Sequence, residues 1–210
     1  MRLKLVITLA AAGLLATGCG GGKSDSSDAD AKASAPAKVT MTQRLTDPGS
    51  SPDLEPSPSP ADSAPFNEQV AYELQKRTLK MAHAPGKTTG ECPKGLSSKE
   101  GTKATCTTTY EGLKVQWKVT VGDKAAWSFS GDYVTFDATP STGIITRDGV
   151  ARVLFGNFSP EYVLCNNIPK AILAPLNVAS KYSCEPVYKG DKPHGYGTPV
   201  RATEDGPRSY

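Results

Sequence analysis

Histidine is scarce in this chain: His83 and His194 are the only two in 210 residues. A serine hydrolase needs a histidine beside a nucleophile on a strained turn, and no Gly-x-Ser-x-Gly occurs to provide one. The phosphate-cradling pattern Gly-x-x-x-x-Gly-Lys-Ser/Thr is missing as well. No apolar run reaches the roughly 20 residues that a helix needs to cross a bilayer. Charge of one sign is also lacking, since 18 Lys and Arg stand against 14 Asp and Glu over residues 66–210. There is no basic stripe interleaved with aromatics, so a nucleic-acid surface is not expected. Among the dispersed acids no pair is set apart for acid–base work. No catalytic residue, cofactor or metal is therefore expected, and an enzymatic reading would have to rest on His194 or a lone carboxylate.

The N-terminal stretch is informative. Arg2 and Lys4 precede twelve largely apolar residues, Leu5–Ala16, and the small-residue boundary Thr17-Gly18-Cys19. That is the layout of a secretory signal peptide over residues 1–18. Cleavage after Gly18 fits either ordinary signal peptidase or the route of bacterial lipoproteins, in which the cysteine is acylated and becomes the N-terminus. Ala16-Thr17-Gly18-Cys19 resembles a lipobox. The resemblance implies that Cys19 is lipidated and holds the protein at the extracytoplasmic face of the cell membrane. One acyl chain anchors weakly, whereas the two or three of such a cysteine anchor stably.

Residues 19–65 are then a lipidated cysteine and a tether. Segments such as GGGKSDSSDADAKASAPA and PGSSPDLEPSPSPADSAP hold few large apolar side chains. They cannot bury enough surface to offset chain entropy, and a flexible linker is expected. Val39–Leu45 is its one stretch with some pairing tendency, here taken as linker. The run Asp25, Asp28, Asp30 lacks the glycine turn and distal glutamate of a calcium loop.

Of the five cysteines, lipidation of Cys19 leaves Cys92, Cys106, Cys165 and Cys184. Their pairing follows from an internal repeat. KATCTTTYEG, from Lys103, aligns without gaps on KYSCEPVYKG, from Lys181, and each second cysteine follows an earlier one associated with a proline. The same order twice points to a tandem duplication with units at 66–146 and 147–210. Pairing within units gives Cys92–Cys106 and Cys165–Cys184, each worth about 3 kcal/mol in the chain-entropy picture. Neither spacing suits zinc.

Each unit reads as a helix followed by strands, an α+β architecture of helix on antiparallel sheet. Phe66, Val70, Leu74 and Met81 recur at helical spacing, between Pro65 at the first turn and Pro85-Gly86 as a stop. Val115, Trp117, Val119 and Val121 alternate with polar residues, and Glu111-Gly112 is a hairpin turn back to Ala104–Tyr110. Trp127–Phe129 and Tyr133–Phe136, split by Gly131-Asp132, read as another hairpin. In the second unit Asp148 is expected to cap a short helix through Phe155. A further helix is expected over Pro169–Leu176, then a cysteine strand over Lys181–Tyr188.

CPKGLSSKEGTKATC, followed by YEG and an alternating strand, resembles a family of unknown function found in actinobacterial envelope and secreted proteins. Over residues 66–125 the resemblance implies a disulfide-linked α+β module, and it offers no catalytic residues to transfer. The function expected is a binding or interaction module in the cell envelope, with an envelope protein or a wall component as partner; the alternative is an inhibitor of a secreted hydrolase. Trp117 is expected in the core, and His83 at the end of the first helix. The loop Tyr188–Thr198, which carries Tyr188, His194 and Tyr196 among glycines, has the composition of a binding loop.

Overall fold

In a computed structural model of the chain, residues 40–49, 51–124 and 134–209 are described. Cys19, the leader, the run Asp25–Asp30 and the expected arm Trp127–Phe129 lie outside the described residues. The described part holds two helices and ten strands, and all its sheet pairings are antiparallel.

Helix α1 (Phe66–Ala82) buries Val70, Ala71, Leu74, Thr78, Leu79 and Met81, the stripe its periodicity predicts. It starts after Pro65 and stops at His83, whose left-handed backbone lets its N–H reach the Leu79 and Lys80 carbonyls. This stripe packs on β2 (Thr88–Glu91) and β3 (Lys103–Tyr110). With β4 (Leu113–Lys124) and β5 (Val134–Pro140) they form one sheet in the order β2-β3-β4-β5. Glu111 and Gly112 both have positive φ, 49° and 85°, which a two-residue turn needs to match the strands' twist. Trp117 is fully buried.

Strand β6 (Gly143–Thr146) leads into α2 (Arg147–Phe158), followed by β7 (Tyr162–Cys165), β8 (Ala171–Ala174), β9 (Ala179–Val187) and β10 (Thr198–Arg201). The cap of α2 is Thr146, not Asp148. Thr146 is the residue with extended backbone, and its hydroxyl accepts the Gly149 N–H, whereas Asp148 already lies in the first turn. The helix runs on to Phe158, three residues past its expected end.

Two further expectations give way to tertiary context. Ala171–Ala174 is a strand, not a helix, because prolines at 169 and 175 bracket too few residues for helical turns to propagate, while β6 offers a four-residue partner. Residues 43–49 and 51–65 are not a free linker. Gln43–Leu45 forms β1, which pairs with β7, and the Gln43 amide both donates to and accepts from the backbone of Ile168. Past it, Leu54 packs against the core of α1. Glu55 accepts the Tyr72 hydroxyl at 2.6 Å and lies 3.2 Å from Lys76 Nζ. Composition undervalued this segment because its few anchoring side chains act singly.

The second sheet has the order β1-β7-β9-β10. Both expected disulfides are present, Cys92–Cys106 and Cys165–Cys184, each joining antiparallel neighbours. Two apolar clusters fill the interior, one between α1 and the first sheet and one between α2 and the second. Ile144 belongs to the first and Ile145 to the second. Successive side chains of a strand point to opposite faces, so β6 serves both cores.

Candidate functional site

Alternation along β9 places Tyr182 and Cys184 in the second core, which puts Ser183, Glu185 and Val187 on the other face. Glu185 sits opposite Leu164 on that outer face, where a carboxylate would ordinarily be solvated. It is nevertheless buried, 6% exposed, because the loop from Tyr188 to Gly197 folds back over it. Gly190 and Gly195, with φ of 87° and 80°, supply the left-handed positions that reverse the chain.

The carboxylate holds the loop in place. Glu185 Oε1 accepts the His194 backbone N–H at 2.5 Å, and Oε2 accepts that of Gly195 at 2.9 Å. Oε1 also lies 3.1 Å from His194 Nδ1. Burial opposes the charge, but these backbone N–H groups and the imidazole together outweigh it, and the Glu185 carboxyl sits below its ordinary value of 4.5. An ionised carboxylate only accepts, so Nδ1 carries the hydrogen. In neutral imidazole Nε2 is then an acceptor, on a side chain that is 79% exposed.

Among the described residues, Tyr188 and Tyr196 are two of the few large apolar side chains left in solvent. With Pro186, Val187, Asp191, Lys192, His194 and Glu185 they border an open groove of about 600 Å³. The three loop residues singled out in the sequence thus line one site. Glu185, which orders it, was missed. The repeat held a signal for it: Glu185 aligns with Thr107, and the two-residue turn after Tyr110 corresponds to a ten-residue loop after Val187.

His83 does not join this groove. It caps α1 with its imidazole beside Gly206, and burial, with the charges of Arg152 and Arg208, holds it below its ordinary 6.5. The histidines therefore do not cooperate in one site. The cysteines at 92, 106, 165 and 184 are closed in disulfides and cannot act as thiolate nucleophiles. Among the described residues no group of three or more His, Cys, Asp or Glu gathers to hold a metal ion, and no helix is long and apolar enough to cross a membrane. A second groove, about 740 Å³, runs between the Pro60–Asp62 segment, α1 and β5. Comparison with protein-family models, curated proteins and solved structures gave no match.

Proposed function

We propose that this protein is an exported lipoprotein, anchored through acylated Cys19 on the extracytoplasmic face of the cell membrane. Its α+β region works there as a binding module for an envelope protein or wall component. The observation that carries the binding reading is the Glu185-anchored loop. A flexible loop loses affinity to the entropy of being ordered on contact, and one already held by three interactions with a buried carboxylate does not. It presents Tyr188 and Tyr196, side chains that give large contact area at little conformational cost.

Export is supported by the basic and apolar leader and by two disulfides, which persist in oxidising compartments. The resemblance of residues 66–125 to an envelope family points the same way. A tandem origin of the two units is supported by their common order of helix, strand ending at or just before a cysteine, and strand carrying the second cysteine. Gly112 and Gly190, equivalent in the aligned repeat, share positive φ.

Intact mass and membrane fractionation of the native protein beside a Cys19→Ala variant test the anchor. A diacylglyceryl adduct and membrane retention, both lost in the variant, are expected. Release of both proteins unmodified overturns the anchor and moves the search for partners to the medium. A preformed loop also suits an inhibitor of a secreted hydrolase, since such inhibitors change shape little on binding. Inhibition of a wall hydrolase, protease or β-lactamase by the full chain, lost with Tyr188→Ala, would favour that reading.

A further inference from the structure

The chemistry of the loop groove restricts what it can hold. Its walls are two exposed tyrosine rings with Pro186 and Val187, and its polar groups are Asp191, Lys192 and His194. The Glu185 charge is already engaged by the loop's own N–H groups and by Nδ1 of His194. That leaves one acid and one base, Asp191 and Lys192, as the remaining charged groups of the lining, too few to select an anionic polymer or a cationic peptide. The volume of about 600 Å³ falls in the range of sites for small or narrow ligands, about 300–1,000 Å³. A folded protein partner would ordinarily cover about 800 Å² on each side, more than one loop supplies.

The best fit is a neutral ligand with apolar faces and hydroxyl-bearing edges. We propose that this groove binds an oligosaccharide, a segment of an envelope glycan chain. The C–H faces of pyranose rings lie against Tyr188 and Tyr196. Hydroxyls donate to Nε2 of His194 and to the Asp191 carboxylate, and accept from Lys192. Glu185 is a positioning residue: it sets the His194 tautomer and holds the loop, with its own oxygens taken by those bonds. The inference rests on the binding-module reading above and gives it a ligand class.

The full chain, extracted in detergent, is titrated calorimetrically with an N-acetylglucosamine tetramer and with glycan strands stripped of peptide. It is also sedimented with intact insoluble cell wall. Wild type is compared with Tyr188→Ala/Tyr196→Ala, whose side chains are exposed and contribute little to folding, and with Glu185→Gln. Saturable binding of the sugars, weakened about tenfold or more by the double tyrosine variant, is expected. Glu185→Gln should weaken binding several-fold while leaving the disulfide-linked core folded, a loss that restoring the carboxylate as Asp, one methylene shorter, does not fully rescue. Retention on whole wall that depends on the tyrosines, with both sugar probes inert, overturns the oligosaccharide and leaves the binding module standing. Sugar binding that the tyrosine variant leaves unchanged overturns the assignment to this groove. No retention on wall or any other envelope fraction overturns both.

Discussion

Thr108 on β3 donates its hydroxyl hydrogen to Thr78 on α1, with 2.7 Å between the oxygens and both side chains buried. The direction follows from counting hydrogens. Thr78 has one, and gives it to the Leu74 carbonyl at 2.7 Å. Thr108 must therefore donate to Thr78, and its oxygen also accepts the indole N–H of Trp117 at 2.9 Å. A four-member chain of polar groups thus crosses the first core with its donors used, which allows Trp117 to be fully buried there.

Replacing Thr108 by valine keeps the shape and deletes the hinge of that chain. The Trp117 N–H is left without its acceptor and the Thr78 oxygen without its donor. Destabilisation of about 1–3 kcal/mol is expected in urea unfolding. Thr105→Val, on the exposed face of the same strand, should stay within about 0.5 kcal/mol. Equal effects of the two would mean that the buried chain contributes nothing.

The Glu185 anchor has a pH signature. Its carboxyl is lowered from 4.5 in the folded protein, so the unfolded or open form binds a proton more readily. The stabilisation is complete above the unfolded value and is lost as pH falls through the folded one. Amide hydrogen exchange at His194 and Gly195 should accelerate, relative to β3 amides, as pH drops below about 4.5. In Glu185→Gln the two amides should exchange faster at neutral pH and lose that extra acid dependence.

Tyr72 reports on the docked segment before α1. Its hydrogen bond to Glu55, with burial and the charges of Glu55, Glu73 and Asp53, pushes the phenol up to about 12. In Glu55→Gln, ultraviolet titration should show one tyrosine returning toward 10. Tyr72→Phe should increase proteolytic nicking between residues 46 and 60 with little change in the melting of the core, since only a local anchor is removed. Unchanged nicking would show that Leu54 and the Glu55–Lys76 ion pair hold the segment without the Tyr72 hydroxyl.

What could be read in advance was local or repeated. The alternation of Leu113–Val121 is a strand whatever surrounds it, and Glu111-Gly112 is a turn because few residues tolerate those backbone angles. The helical stripe of α1 needed only its own spacing. Ala171–Ala174 carried no such information: it is short and apolar, and β6 decided its conformation. Strand β1 is three residues long, and its partner β7 lies about 120 positions further on.

The candidate site divides in the same way. Aromatic and glycine content marked Tyr188, His194 and Tyr196, because unusual composition is visible without a fold. Glu185 was invisible because its burial comes from a loop closing over an outer sheet face, a relation between residues about ten apart whose geometry depends on β9 being paired on both sides.

Sequence alone determined the helix-then-strand order, the tight hairpin and, through the repeat, which cysteines pair, since each follows from spacing along the chain. Tertiary structure alone decided that the two apolar clusters meet on β6. Ile144 and Ile145 are neighbours of the same apolar type in sequence, yet they enter different cores. A strand's pleat sends adjacent side chains to opposite faces, and only the packing of a helix and sheet on each side turns that alternation into a shared wall.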